Sequence, residues 1–413
     1  MLRFLTAGES HGPELVVVVE GLPAGVAIDP GAMDRELVRR QQGYGRGARS
    51  TKIERDHGEI VSGVAGGRTT GAPVAIRVIN RDFANQPARP APLTAPRPGH
   101  ADLAGRWKYG HEDFRVVRER ASARETAARV AAGALARQLL SAFEVRVGSF
   151  VTGVGDVRME VSLPSLDAAG LASLGAAAED DAIRCPDSDT SGAMCAAVDR
   201  AKERGETLGG MFVVYALGLP PGLGSHVHWD RKLDGRLAQA ICSIHAVKGV
   251  EIGSAWDAAV RPGTEVQDAI VPDGAGIRRG TNWAGGVEGG MTNGEPVVIR
   301  AAMKPLSSVR AQLASVDFAT GAAADPPYVR SDVCAVAPAA VVGEAMAAWV
   351  LADAFTERFG GDRLDAMVAA RDAVAAAEAS ALSRASGGAP VSTDDARTGA
   401  DARPHGVEEE VDG

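Results

Sequence analysis

SARETAARVAAGALARQLL, residues 122–140, opens with Ser122-Ala123-Arg124-Glu125 in the form of a capping box and continues as an alanine-rich run. It reads as a helix, and strand patterns lie on both sides of it. Glu14-Leu15-Val16-Val17-Val18-Val19-Glu20 is an apolar run closed by Gly21-Leu22-Pro23. Residues 59–64 and 73–79 read as strands around a Gly66-Gly67 turn, and 145–151, 211–217 and 296–302 as three more. Asp29-Pro30 begins a helix that runs toward Arg40, with Gly43 beyond its end. Leu233, Leu237, Ala240, Ile241, Ile244 and Val247 recur at helical spacing up to Gly249, and a further helix covers 343–359, ended by Gly360-Gly361. Strands and helices mix without a regular β-α-β alternation or an internal repeat. The fold class is therefore α+β, with one large domain over residues 1–378 and a low-complexity acidic tail over 379–413. From Ser380 to Gly413 there are seven acidic residues against three basic and no aromatic, so that segment is expected to be disordered.

A chain of 413 residues with 45% hydrophobic and 23% charged residues can bury a large core. No apolar run long enough to span a bilayer is expected, and the N-terminus reaches Gly8-Glu9 too soon to supply a signal-peptide core. Cys185, Cys195, Cys242 and Cys334 form no C-x-x-C pair, so neither a zinc site nor a disulfide framework is expected. These features point to a reduced, cytoplasmic setting without a membrane partner. A net charge of −9 argues against a protein-wide nucleic-acid surface.

Two histidines sit in short frames of glycine or proline: Gly8-Glu9-Ser10-His11-Gly12 and Arg97-Pro98-Gly99-His100-Ala101-Asp102. Histidine is the side chain that exchanges protons near neutral pH, and such frames fix a backbone. The pair suggests a centre with two proton-transfer groups; two hydrogen-bonding loop residues are the alternative. Arg39, Arg40, Arg46, Arg49 and Lys52 share a glycine-spaced loop suited to binding phosphate or carboxylate, though a solvated loop or a Gly/Arg RNA-binding segment would look similar. Arg115, Arg118, Arg120, Arg124 and Arg129 crowd the start of the 122–140 helix against its macrodipole, which a docked anion would relieve. Glu119 and Glu125 could pair with two of these five.

The run Gly285-Gly286-Val287-Glu288-Gly289-Gly290-Met291-Thr292-Asn293-Gly294 would let a flat ligand approach backbone, but fits neither a Rossmann nor a P-loop fingerprint. Lys304-Pro305-Leu306-Ser307-Ser308 offers a cation and two hydroxyls, and Arg330-Ser331-Asp332 could place a carboxylate beside the histidines. His226-Val227-His228 could share a strand face, but no third ligand lies at a typical spacing, so no metal is expected.

In order, GESHG, RRQQGYGRGARS, RPGHADL, KYG, ERASARETAARVAAGA, HAVKGVEIG, NWAGGVEGGMTNG, MKPLSS and RSDVCAV resemble the chorismate synthase family over nearly the whole chain to about residue 360. The resemblance implies a β-α-β sandwich, a homotetramer, and a carbon–oxygen lyase at the last common step of the shikimate pathway. The reaction would be anti-1,4-elimination of phosphate from 5-enolpyruvylshikimate 3-phosphate, dependent on reduced FMN without net redox change. NADPH would enter only indirectly, as a reductant.

By the same resemblance His11 would protonate the departing phosphate, His100 would hold or protonate the reduced flavin, and Asp332 would join a base relay near flavin N5. Arg120, Ala121, Ser122, His245, Ala246, Gly289, Lys304, Pro305, Leu306, Ser307, Ser308 and Arg330 match flavin-contacting segments, and Arg40 and Arg46 match positions for substrate or NADP. His245 stands where many relatives carry Gln, and Trp283 where a basic residue or His is common. A Gly/Arg RNA-binding protein and a flavin-dependent reductase are the rival readings.

Overall fold

Leu15, Val17 and Val19 turn inward from the strand Glu14–Glu20, each 2% exposed or less, while Val16 and Val18 face outward. This strand pairs antiparallel with Arg3–Ala7 and Val74–Ile79, and Gly58–Ile60 extends the sheet beyond Val74–Ile79, making four strands. The computed structural model describes residues 1–47, 56–85, 91–274, 276–311, 313–326 and 331–386.

The inward side chains of that sheet meet the helix Thr126–Ser141, which packs in turn on Pro30–Gln41 and Val336–Phe359. The opposite side of Val336–Phe359 lies on a second antiparallel sheet, ordered Val247–Ile252, Val297–Met303, Gly210–Leu217, Arg146–Val154, Val157–Arg158. The helices therefore lie between the sheets. Thr126–Ser141 and Val336–Phe359 approach so closely that a Cβ on Gly133 would stand 2.4 Å from that of Ala345.

Several elements differ from their sequence reading. Ser122 does accept a hydrogen bond from the Arg124 N–H, but it caps a short 3-10 turn, Ala123–Glu125, ahead of Thr126–Ser141. The reciprocal arm of the capping box is not made, because the Glu125 carboxylate binds Thr6 and Arg129. The periodicity from Leu233 to Val247 overruns its helix: Leu233–Cys242 is helical, Ala246 has φ 65°, and Val247 begins a strand. The span 59–64 divides into Gly58–Ile60 and Val64–Ala65, with Gly63 at φ 81° between them.

Gly343 is not a helix start. It lies inside Val336–Phe359, where a Cβ would meet Val214 at 2.8 Å and Phe212 at 3.0 Å, and Pro338 occupies the first turn, where its missing N–H costs nothing. This helix of 24 residues is also long and apolar enough to cross a membrane, contrary to the expectation, and is apolar all round because it is enclosed by protein. The expected boundary near 378 falls within a helix, Leu364–Ser386, whose alanine-rich sequence has high helix propensity. Residues 387–413 lie outside the described residues.

Candidate active site

The strand Arg3–Ala7 delivers the chain to Gly8, whose φ of +105° and contact with the Glu14 carbonyl exclude a side chain. The loop that follows is held by the helix Phe114–Arg120. Ser10 N–H donates to the Glu119 carbonyl at 3.1 Å, His11 N–H donates to Glu119 Oε2 at 2.7 Å, and His11 Nδ1 lies 2.8 Å from that same oxygen. A carboxylate only accepts, so the shared proton belongs on Nδ1. Burial pushes the Glu119 carboxyl up, but the hydrogen bond and charge of His11, with Arg118, hold it below its ordinary value. Ser122 Oγ lies 3.0 Å from Ser10 Oγ, and Arg120 donates to the Gly8 and Thr6 carbonyls and to Thr6 Oγ1. Arg120, Ala121 and Ser122 thus adjoin the His11 loop.

His100 is built the same way. Its Nδ1 stands 2.5 Å from Asp102 Oδ1, and Arg97 binds the other oxygen of Asp102 through its main-chain N–H at 3.1 Å and through Nε at 3.0 Å. Asp102 is 2% exposed; burial alone would raise its pKa, but the His100 hydrogen bond and Arg97 hold it well below the carboxylate range. Arg97 Nη2 also lies 3.0 Å from His100 Nδ1.

Lys304 Nζ and Ser307 Oγ both donate to the Gly99 carbonyl, at 3.0 and 2.8 Å, so the Lys304–Ser308 segment grips the His100 loop. Arg97 Nη1 donates to Ser308 Oγ at 2.9 Å, and Ser331 Oγ donates to the Ser308 carbonyl at 2.8 Å. Asp332, the next residue, pairs with Arg46 and accepts from Gly47 N–H at 2.7 Å. A chain of polar contacts therefore runs from His100 to Asp332 and Arg46. Pro305 and Leu306 serve as backbone, the Leu306 carbonyl accepting from Thr207 at 2.7 Å. Arg330 lies outside the described residues, as do Arg49 and Lys52.

His245 and Ala246 join this assembly through Lys304 N–H, which donates to the Ala246 carbonyl at 2.9 Å. His245 Nδ1 is buried and, among the described residues, has no hydrogen-bond partner. Burial pushes the imidazole pKa down to about 4; Arg129, His100 and Arg120 push the same way and Glu125 opposes them. His245 is therefore neutral at neutral pH, with one ring nitrogen awaiting a partner.

Other expected residues lie elsewhere. Arg40 is 4% exposed and binds Asp56 at 2.8 Å, a carboxylate it shares with Arg124. Arg39 pairs with Glu36, Glu179 and Glu344 and takes no part in a phosphate loop. In the 285–294 segment, a Cβ on Gly285 or Gly286 would strike backbone within 2.4 Å, so these glycines serve chain-on-chain packing; only the space above Gly289 is open. That hairpin packs on Leu233 and Leu223, and no described contact joins Gly289 to the histidines. Trp283 lies under Arg261 at 5.5 Å, and His228 binds Asp230 at 2.8 Å. A cavity of about 470 Å³ lined by Glu36, Arg137, Arg146 and Tyr215 shares no residue with the cluster.

The carboxylates Glu119 and Asp102 are what the sequence reading missed as histidine partners. Asp102 carried a signal, two residues after His100 in the quoted frame; Glu119, 108 residues from His11, carried none of its own. Pairing each imidazole with a carboxylate, buried at Asp102 and half-buried at Glu119, fixes its tautomer and orientation, the arrangement of a proton-transfer group.

Known proteins share this chain's pattern. A family described as chorismate synthase matches residues 2–356. The chorismate synthase of Desulforudis audaxviator is 52% identical over 375 residues, 88% of this chain and 95% of the relative. That of Rubrobacter xylanophilus is 54% identical over 371 residues, 88% of this chain and 93% of the relative. A crystal structure of chorismate synthase superposes with a TM-score of 0.77 at 41% identity, covering 92% of this chain and 98% of the other. Family model, relatives and fold agree, and the chain belongs to the chorismate synthase family of carbon–oxygen lyases.

Proposed function

We propose that the protein forms chorismate by anti-1,4-elimination of phosphate from 5-enolpyruvylshikimate 3-phosphate, with reduced FMN bound beside the histidines. The observation that carries this reading is the pair of imidazoles, each held at Nδ1 by a carboxylate within a cluster of guanidiniums. His11, oriented by Glu119, would give its proton to the departing phosphate. His100, fixed by Asp102 and Arg97, would hold or set a proton on the flavin side. Asp332, steadied by Arg46, would complete the base relay.

The residues suit an anionic flavin. Arg120, Arg129 and Lys304 supply cations, and His245 Nδ1 lacks a partner among the described residues. The chemistry supplied by bound reduced FMN is transient electron donation with no net redox change. Arg120 to Ser122, His245, Ala246 and Lys304 to Ser308 would hold it. Arg40 is committed to Asp56, which favours NADPH acting only indirectly, outside this chain. A β-α-β sandwich describes the layering, and a cytoplasmic homotetramer goes with the reading. The apolar outer residues Leu5 and Val18, paired across the first sheet, offer a face for a second copy, which light scattering would detect.

The test is an anaerobic assay with photoreduced FMN and the phosphorylated substrate. Chorismate and phosphate should appear in equal amounts without stoichiometric flavin oxidation; no chorismate would overturn the proposal. In air, with NADPH and oxidised FMN alone, no product should form.

A further inference from the structure

The five arginines around the Thr126–Ser141 helix start are used unequally. Arg129 binds Glu125 at 2.8 Å, Arg124 binds Asp56, Arg120 binds the Thr6–Gly8 strand end, and Arg115 donates to the Ala91 carbonyl at 2.8 Å. Arg118 alone makes no hydrogen bond or ion pair among the described residues. It is half-buried on the helix Phe114–Arg120, one residue before Glu119.

It lies next to Glu119, and the helix Asp102–Tyr109, which begins at the carboxylate partner of His100, packs on the helix Phe114–Arg120 that carries it. Asp102 and Glu119 both act on it electrostatically, as do the guanidiniums of Arg97 and Arg115. Neither carboxylate is available to neutralise it: Asp102 already serves His100 and Arg97, and Glu119 serves His11 twice. Burial and Arg97 together pull the Arg118 pKa down to about 10, the opposite of what a native ion pair would do. A guanidinium with five donors, half-buried and with no partner among the described residues, is costly unless an anion completes it.

We propose that Arg118 is the anchor of an oxyanion subsite, set between His11–Glu119 and His100–Asp102, that takes a phosphate or carboxylate group of the substrate. This rests on the proposed function for the identity of the ligand, though not for the existence of the subsite. Arg97 cannot substitute for it, because its Nε, Nη1 and Nη2 are occupied by Asp102, Ser308 and His100.

The experiment compares wild type with Arg118→Met and Arg118→Lys. Binding of inorganic phosphate is followed by 31P NMR on the flavin-free protein, and binding of 5-enolpyruvylshikimate 3-phosphate and of chorismate by calorimetry. KM and kcat come from the reduced-flavin assay. Arg118→Met should weaken substrate binding and raise KM by roughly ten- to a hundredfold, the worth of one or two charge-assisted hydrogen bonds, with kcat within about threefold. Arg118→Lys should recover much of the loss. The melting temperature of Arg118→Met should not fall, because no native partner is left unpaired.

Weaker binding of inorganic phosphate and substrate, with chorismate unaffected, would assign a phosphate. Weaker binding of both organic ligands, with inorganic phosphate unaffected, would assign a carboxylate. Where the wild type binds the substrate, unchanged substrate binding in Arg118→Met overturns the subsite, whatever happens with inorganic phosphate. A wild-type protein that makes no chorismate, yet loses phosphate binding in Arg118→Met, would sink the functional reading and leave the subsite standing.

Discussion

His11 and Glu119 are joined twice, main-chain N–H to Oε2 at 2.7 Å and ring Nδ1 to the same oxygen at 2.8 Å, so one carboxylate sets both the loop and the imbalance of charge on the imidazole. Glu119→Gln keeps an acceptor for the N–H and loses the charge. We expect kcat to fall roughly 10–100-fold with KM and melting temperature near wild type, a smaller loss than the roughly 10²–10⁴-fold expected of His11→Ala. Because Glu119 is held below the ordinary carboxylate range, its contribution is present at neutral pH and lost only as pH falls through that lowered value. The acid limb of the kcat profile should therefore change in Glu119→Gln. An unchanged profile with unchanged kcat would make the pair structural.

Asp102 holds His100 and Arg97 at once from a site that is 2% exposed. Asp102→Asn leaves Arg97 facing an imidazole at 3.0 Å with no counter-ion. Breaking a buried pair in this way costs about 3–5 kcal/mol. Thermal melts should register that loss, and kcat should fall at least as far as in His100→Ala, for which roughly 10²–10⁴-fold is expected. A stable, active Asp102→Asn protein would show that His100 needs no carboxylate.

What the sequence discloses, and what it hides, follows the range of each interaction. Asp29-Pro30 and the apolar run at Glu14–Glu20 depend on neighbours in the chain, and both elements form where they are read. Val247 carries helical spacing into a strand because periodicity does not register the left-handed turn at Ala246. Glu125 has the local spacing of a capping box, but Thr6, 119 residues away, takes its carboxylate. Arg39 and Arg40 look like phosphate ligands until their acids are found, Glu344 at a separation of 305 residues among them. Histidine frames are legible; the carboxylate that orients His11 is a tertiary fact.

His245 differs from His11 and His100 in lacking, among the described residues, a partner at Nδ1. Its folded pKa of about 4 lies below the ordinary value near 6.5, so the unfolded chain binds its proton first. The neutral imidazole thus costs stability as pH falls from about 6.5 toward 4, and no further below that. His245→Gln removes this titration. Between those pH values wild type should lose roughly 1–3 kcal/mol more stability than the variant, measured by chemical denaturation. Parallel curves would mean that the imidazole is well solvated in the folded protein.

Glu344 is fully buried at the centre of the Val336–Phe359 helix, where it accepts from Arg39, Arg137, Arg184 and Ser149. Arg39 also binds Glu36 and Glu179, and Arg184 binds Glu179, so three guanidiniums face three carboxylates at the junction of the helices with the second sheet. Burial would raise the Glu344 pKa, but Arg39, Arg137 and Arg184 outweigh it and bring it down to about 2. The unfolded value lies near 4.3, so the stabilisation is complete above that pH and is lost as pH falls from there toward 2. Glu344→Gln leaves the arginines in charge excess and should cost about 3–5 kcal/mol at pH 7, read from denaturant midpoints. Its stability should then fall less steeply than that of wild type below pH 4.3. Glu344→Leu, which also removes the acceptors for Ser149 and the arginines, should be worse. If Glu344→Gln matches wild type at pH 7, the network contributes no net stability, and the two acid-limb slopes should then coincide as well.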